Sequence, residues 1–154
     1  MAPLLLCARE IEKMVLPMSQ VFTEPRMVIL VVEDQTLVRM FITDFLGEAG
    51  FKVFEAVNAD EALQILEARP DVQAIVTDVE MPGSMNGVEL AGVVRERWPG
   101  VGLIVTSGRE RPGPDDLPDD VAFLAKPYLP ETVTGIIRQM AAPQVVESAP
   151  MHDD

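Results

Sequence analysis

Acidic residues follow two of the apolar runs in this sequence, at the points where the runs end. Glu33 and Asp34 come directly after the run 28–32, and Asp78 closes the run 74–77 just before a Met-Pro-Gly turn. A lone aspartate in such a position is often only a turn former or a helix cap. Three carboxylates at one place would repel one another and would need a compensating cation. Because oxygen ligands without histidine or cysteine favour a hard metal, we expect Mg²⁺, with Mn²⁺ as the alternative.

Hydroxyl and lysine side chains follow two further apolar runs. One run ends in Thr106 and Ser107, before a glycine that has no side chain to block a ligand, and the last run ends in Lys126. Phosphoryl transfer requires such groups, because cations neutralise the non-bridging oxygens and a carboxylate can act as the nucleophile. Either hydroxyl could reach a phosphoryl group, and we favour Ser107 because the glycine follows it. No GxxxxGK[ST] loop is present, which excludes a P-loop nucleotide site.

Composition excludes several other classes of site. The single cysteine, Cys7, and the single histidine, His152, rule out a Cys/His zinc cluster within the chain and the Ser-His and Cys-His nucleophile pairs. Twelve basic residues against 25 acidic ones give a net charge of −13, which disfavours binding to nucleic acid or anionic lipid. No apolar stretch approaches the roughly 20 residues that cross a bilayer. We therefore expect a cytoplasmic protein without nucleic-acid or membrane partners.

Apolar runs and helical periodicity alternate between residues 27 and 141 and predict one α/β domain there. The runs predicted to be strands cover residues 28–32, 51–56, 74–78, 102–107 and 121–126. This alternation predicts a doubly wound, five-stranded parallel sheet of order 2-1-3-4-5, which is flavodoxin-like. Strands 1 and 3 are then neighbours, so their terminal carboxylates meet at one edge.

The predicted helices are less uniform than the strands. The first has two apolar rows side by side, Leu37, Phe41 and Phe45 in one and Val38, Ile42 and Leu46 in the other. Three prolines in the segment 108–120 predict that the fourth helix is short or missing. Residues 1–26 are predicted to be an N-terminal extension, either flexible or a short helix, and residues 142–154 a disordered tail.

Four motifs resemble the receiver domain of bacterial two-component response regulators, and the resemblance covers about residues 27–141. The motifs are VVED (31–34), VTDVEMPGSMNG (76–87), VTSG (105–108) and FLAKPY (123–128). The resemblance implies a single-domain, chemotaxis-regulator-like protein that catalyses only its own phosphorylation and dephosphorylation. Its phosphoryl donor would be the phosphohistidine of a sensor histidine kinase or a histidine phosphotransfer protein. Phosphorylation would switch a surface that binds a downstream protein of unknown identity.

The resemblance also implies the roles of the acidic residues. Asp78 would accept the phosphoryl group. Asp34 and Asp78 would bind Mg²⁺ through their side chains, Glu80 through its backbone carbonyl, and Glu33 through a water molecule.

The remaining motif residues receive roles in the same way. Ser107, or alternatively Thr106, would contact the phosphoryl group, and Lys126 would pair with it. Ser107 and Phe123 would be switch residues, and the Lys126–Pro127 peptide bond would be cis.

Two other functions remain open from the sequence. Glu80 stands two residues after Asp78, where an aspartyl-nucleophile phosphohydrolase carries its second acid. A pseudo-receiver that only binds partners is the other alternative. Glu80 and Arg109 also flank the site, and an ion pair between them would slow the loss of the phosphoryl group.

Overall fold

The computed structural model describes residues 26–109, 112–113 and 115–141. The predicted tail and all but the last residue of the predicted N-terminal extension lie outside these ranges. The strands are β1 (Val28–Val32), β2 (Lys52–Ala56), β3 (Val72–Asp78), β4 (Gly102–Ser107) and β5 (Ala122–Ala125). The helices are α1 (Thr36–Glu48), α2 (Ala59–Ala68), α3 (Gly87–Arg97) and α4 (Pro130–Ala141).

The five strands form one parallel sheet in the order β2-β1-β3-β4-β5, which confirms the predicted fold. The register aligns the carboxyl ends of the strands. Val32 pairs with Thr77 and Asp78 pairs with Thr106. The residues that follow β1, β3 and β4 therefore emerge at one edge of the sheet, where ligands bind in open α/β folds.

Helices cover both faces of the sheet, and the alternation of side chains along each strand supplies a core to each face. In β1, Ile29 and Val31 pack with α1 and α4. Leu30 and the other even-numbered residues of β1 point to the opposite face and pack with α2 and α3. All five β1 residues are buried. Burying one such side chain contributes roughly 1.5–3 kcal/mol, so the continuous apolar run explains why β1 lies inside the sheet.

Helix α1 buries only one of its two predicted apolar rows. Ile42 and Leu46 are buried, but Leu37 is 79% exposed and Phe41 is 55% exposed. The first two residues of the row that begins at Leu37 therefore lie at the surface. A helix that lies on a sheet buries one stripe, so the start of the outer row remains at the surface, while Phe45 at its end packs against the core.

The connection from β4 to β5 contains turns and no helix in the residues that the structure describes there, as the prolines predict. Over the described ranges, no helix combines the length and the apolar character needed to cross a membrane.

Candidate functional site

Three carboxylates meet at the carboxyl edge of the sheet. One oxygen each from Glu33, Asp34 and Asp78 lies within 4.8 Å of the others. Glu33 is 1% exposed and Asp78 is 6% exposed, whereas Asp34 is partly exposed. The parallel pairing of β1 with β3 produces this cluster, because both strands end at the same level.

Lys126 supplies the positive charge beside these acids. Its Nζ lies 3.1 Å from Asp78 Oδ2 and 3.7 Å from Glu33 Oε1. The backbone N–H of Lys126 donates to the Ser107 carbonyl at 2.8 Å, which aligns the end of β5 with the end of β4. The Lys126–Pro127 peptide bond, expected from the resemblance to be cis, is cis.

Burial makes ionisation costly in this pocket. It raises the pKa of Glu33 although the Gln35 N–H donates to that carboxylate, and repulsion from Asp78 adds to the increase. Burial also raises the pKa of Asp78, opposed by its hydrogen bond and ion pair with Lys126. A bound cation would lower both costs.

The donor atoms fit a hard divalent cation. Asp78 Oδ1 is buried and has no hydrogen-bond partner among the described residues, whereas Oδ2 is held by Lys126. Three carboxylates without a nitrogen or sulfur ligand form the oxygen-only set that Mg²⁺ prefers. An unpaired buried oxygen beside two further acids is therefore available to an external ligand.

The two candidate hydroxyls point to different surroundings. Ser107 Oγ donates to Glu80 Oε2 at 2.6 Å and accepts from the Arg109 N–H at 3.2 Å. Thr106 Oγ1 donates to the Thr77 carbonyl at 3.5 Å, within the sheet. Only the Ser107 hydroxyl therefore joins the acidic residues at the pocket.

Glu80 bonds to the end of β4. Its other oxygen, Oε1, accepts from the Gly108 N–H at 3.4 Å. Burial opposes ionisation, but the hydrogen bonds from Ser107 and Gly108 hold the pKa of Glu80 below its usual value. Among the described residues Glu80 forms no ion pair with Arg109, whose backbone N–H instead donates to Ser107 Oγ.

Phe123 and Tyr128 lie on either side of Lys126 along the chain. Phe123 is partly buried and packs against the core between the sheet and helices α2 and α3. Tyr128, which sequence reasoning did not select, is influenced by the charges of the pocket. Burial, with the charges of Glu33 and Asp78, raises its pKa to about 12. Its place two residues after the lysine in FLAKPY was the available signal.

Gly87 fixes the path of the chain beneath Asp78 and was also missed as a site residue. A Cβ at this position would clash with the Asp78 carbonyl group and with the Val79 backbone. The Gly87 N–H donates to the Val79 carbonyl at 3.0 Å, and the Val79 N–H donates to the Thr106 carbonyl at 2.8 Å. Helix α3 thus begins in direct backbone contact with the acid-bearing strand end.

Arg39 of α1 is the third residue that the sequence did not reveal. Its Nη1 donates to the Glu33 carbonyl at 2.8 Å and its Nε to Glu55 Oε1 at 3.0 Å. The side chain therefore ties the segment that carries Glu33 and Asp34 to strand β2. A basic residue on a helix surface gives no sequence signal for such a contact.

Comparison with known proteins agrees with the geometry. Residues 29–117 match the family described as the response regulator receiver domain. The hydrogenase transcriptional regulatory protein HoxA of Cupriavidus necator is 34% identical over 125 residues, and the match covers 75% of this chain and 24% of HoxA. The sensor kinase CckA of Brucella abortus is 34% identical over 120 residues, which cover 75% of this chain and 13% of that protein.

A solved receiver domain extends the likeness to three dimensions. The receiver domain of the hybrid histidine kinase CckA superposes with a TM-score of 0.63 at 31% identity, covering 73% of this chain and 97% of that domain. The chain spans about a quarter or less of the length of HoxA and of the Brucella kinase. With the sheet order, the acidic cluster and the lysine in place, the chain belongs to the receiver domain family of response regulators.

Proposed function

We propose that Asp78 accepts a phosphoryl group from a phosphohistidine and that the new charge switches a protein-binding surface in a phosphorelay. The observation that carries this proposal is the state of the Asp78 carboxylate: one oxygen is held by Lys126, and the other is buried and unpaired among the described residues. An aspartate that served only to cap the turn would have both oxygens satisfied or exposed to water.

The acidic residues would hold a metal ion in this reaction. Receiver domains bind Mg²⁺ at an acidic pocket. In this chain Asp34 and Asp78 would hold it with their side chains, Glu80 with its backbone carbonyl, and Glu33 through water. Mn²⁺ would suit the same oxygen ligands. The bound ion would neutralise charge on the phosphoryl oxygens.

The transfer would take place between the donor phosphohistidine and the groups at the pocket. An Asp78 oxygen forms the new bond to phosphorus, and the P–N bond to the donor imidazole breaks with its electron pair going to nitrogen. Lys126 Nζ, already 3.1 Å from Asp78, would pair with a phosphoryl oxygen. The Ser107 hydroxyl would donate to another phosphoryl oxygen, and Thr106, whose Oγ1 lies 3.5 Å from the Thr77 carbonyl within the sheet, is the alternative donor. Phosphorylation adds about one negative charge at neutral pH.

An exposed apolar patch borders the pocket and suits the phosphohistidine donor. Leu37, Phe41 and Leu129 are all more than half exposed. A groove of about 260 Å³ is lined by Phe41 together with Lys126, Tyr128 and their neighbours, so Lys126 belongs to both the patch and the pocket. Receiver domains interact with histidine kinases and downstream effectors. A kinase or phosphotransfer protein bound to this patch would present its histidine to Asp78.

The output would arise from the segment that follows β4. Drawing Ser107 toward the phosphoryl group moves the start of the β4–β5 connection, and Phe123 on the adjacent strand would respond as the second switch residue. Turns replace a helix in the described part of this connection, so the downstream protein would read a surface built from turns. The chain would thereby catalyse only its own phosphorylation and dephosphorylation.

Labelling with a small phosphodonor tests the proposal. With phosphoramidate and Mg²⁺, the protein should gain one phosphoryl group that is stable in acid and labile in base. Asp78→Asn should gain none, and Asp44→Asn, an exposed carboxylate on α1, should behave as the wild type. No labelling of the wild type would favour the pseudo-receiver. Continuous turnover of a phosphate ester that Asp78→Asn abolishes would favour the phosphohydrolase.

Phosphotransfer from candidate kinases tests the proposed partner surface. Phe41→Asp should lose transfer from a cognate kinase while keeping labelling by phosphoramidate, because it lies in the patch and outside the pocket. Equal transfer to both proteins would remove the patch from the proposal and leave the chemistry at Asp78 intact.

A further inference from the structure

The Glu80 carboxylate bonds to two donors at the end of β4, and the proposed reaction also needs one of them, the Ser107 hydroxyl. Ser107 Oγ donates to Glu80 Oε2 at 2.6 Å, and the Gly108 N–H donates to Oε1 at 3.4 Å. Both carboxylate oxygens are thus held by the same short segment. A hydroxyl and a backbone N–H that converge on an anion form the arrangement expected for oxygens of a phosphoryl group.

The Ser107 hydroxyl cannot serve both anions at once. A serine hydroxyl has one hydrogen to donate, and here Glu80 receives it at a distance typical of a charge-assisted bond. The Arg109 N–H occupies an acceptor position of the same oxygen, so the hydroxyl is also restrained in direction. A phosphoryl group on Asp78 would obtain this hydrogen only after the bond to Glu80 breaks.

Glu80 is also close enough to Lys126 and Asp78 to interact electrostatically with them. Its carboxylate is influenced by the charge of Lys126 and by the side chain of Asp78. A negative side chain two residues after Asp78 therefore already bonds to the Ser107 hydroxyl and the Gly108 N–H.

We propose that the Glu80 side chain is an internal competitor of the phosphoryl group, holding Ser107 and Gly108 until phosphorylation of Asp78 displaces it. This inference rests on the proposed function of Asp78. It assigns Glu80 a positioning role through Ser107, separate from any metal contact of its backbone carbonyl. Competition makes phosphoryl binding weaker than the pocket would otherwise allow and keeps the segment after β4 in one position in the unphosphorylated protein.

Beryllium fluoride with Mg²⁺ is a suitable probe, because beryllofluoride binds to an aspartate as a phosphoryl group would. Its affinity can be measured by ¹⁹F NMR titration of the whole chain. Glu80→Ala should bind beryllofluoride about tenfold more tightly or better, which is the effect expected for removing one competing charge-assisted hydrogen bond. Glu80→Gln, which keeps an acceptor without the charge, should lie between Glu80→Ala and the wild type. Glu96→Gln, an exposed site in the last turn of α3, controls for net charge and should leave the affinity unchanged.

A double-mutant cycle separates competition from simple charge repulsion. If Glu80 acts by holding the hydroxyl, the gain from Glu80→Ala should fall to about twofold or less when Ser107 is already alanine. An equal gain in both backgrounds would mean that Glu80 only repels anions, and it would overturn the inference. An unchanged affinity of Glu80→Ala in the wild-type background would do the same.

If Glu80→Ala shows no gain in affinity, beryllofluoride binding by the wild type and by Asp78→Asn shows which of the two proposals has failed. If the wild type binds beryllofluoride, Asp78→Asn does not, and Glu80→Ala brings no gain, only the inference about Glu80 is lost. If neither the wild type nor Glu80→Ala binds beryllofluoride, the proposed function of Asp78 fails and the inference falls with it.

Discussion

Replacing Asp78 by asparagine should make the protein more stable in the absence of divalent cations. Glu33, Asp34, Asp78 and Lys126 together carry a formal charge of −2, and the charge of Glu80 adds to the repulsion on Asp78. Asparagine keeps the size of the side chain and removes one negative charge. Lys126 then retains Glu33, 3.7 Å away, as its partner. The variant therefore relieves repulsion without leaving the lysine unpaired.

The magnitude follows from the distances. At an effective dielectric constant of about 20, the attraction between Asp78 and Lys126 at 3.1 Å is about 5 kcal/mol. Repulsion from each of the other two carboxylates, at 4.8 Å or less, is about 3.5 kcal/mol or more before screening of the partly exposed Asp34. The two repulsions exceed the attraction, and the desolvation of a side chain only 6% exposed adds to the imbalance. We expect Asp78→Asn to raise the free energy of unfolding by about 1–3 kcal/mol at pH 7.

Urea denaturation in EDTA, followed by circular dichroism, measures this difference, and Glu96→Gln provides the control for net charge. The control should lie within about 0.5 kcal/mol of the wild type. Added Mg²⁺ should stabilise the wild type more than Asp78→Asn and narrow the gap, since the ion binds the folded state. A variant no more stable than the wild type in EDTA, with an unchanged denaturant slope, would refute the account of repulsion in the pocket.

The direction in which this stability difference changes with pH follows from the pKa of Asp78. Burial raises the pKa of Asp78 in the folded state above its value of 3.8 in the unfolded chain. The stability linked to its protonation is therefore fully present below pH 3.8 and is lost as the pH rises through the folded-state pKa. The advantage of Asp78→Asn in EDTA should accordingly shrink as the pH is lowered from 7 toward 4.

Three further predictions concern the surroundings of the site. Gly87→Ala should destabilise the fold by roughly 1–3 kcal/mol in urea denaturation and reduce phosphoramidate labelling of Asp78, because the new Cβ would clash with backbone atoms. Gly92→Ala in the same helix is the matched control. Open space surrounds Gly92, so this variant should stabilise the fold by roughly 0.5–1 kcal/mol in the same assay. Asn86→Ala removes the bond from the Glu89 N–H to the Asn86 side chain, one of the two bonds of the capping box at the start of α3. It should lower the free energy of unfolding by about 1 kcal/mol in the same assay, and an unchanged value would show that the cap is dispensable. Because the pKa of Tyr128 rises from 10 to about 12 in the folded protein, the free energy of unfolding should fall as the pH increases from 10 to 12. Tyr128→Phe should make the free energy of unfolding less dependent on pH in that range.

Much of the site was predictable because strand ends in a parallel sheet follow from the order of the strands. Apolar runs locate the strands, and the polar residue after each run, such as Asp78 or Lys126, is then assigned to one edge without knowledge of any contact. Side-chain direction is not determined in this way. Both rows of α1 are apolar, so periodicity does not reveal that Phe41 faces outward. The bond between Glu80 and Ser107 joins the loop after β3 to the last residue of β4, 27 residues away, and depends on tertiary packing that no local pattern encodes.

The groups that would take part in the proposed chemistry of the pocket also destabilise the folded state. A fold selected only for stability would replace Asp78, since a buried carboxylate with an unpaired oxygen beside Glu33 raises the free energy of the folded state. The same imbalance makes the site responsive, because a cation or a change of charge at Asp78 alters the energies of every group around it. Lys126 compensates the charge only in part, and Glu80 already engages the hydroxyl of Ser107. A phosphoryl group on Asp78 would therefore enter a pocket whose bonds must be redistributed, and this redistribution would give a local chemical event a structural consequence.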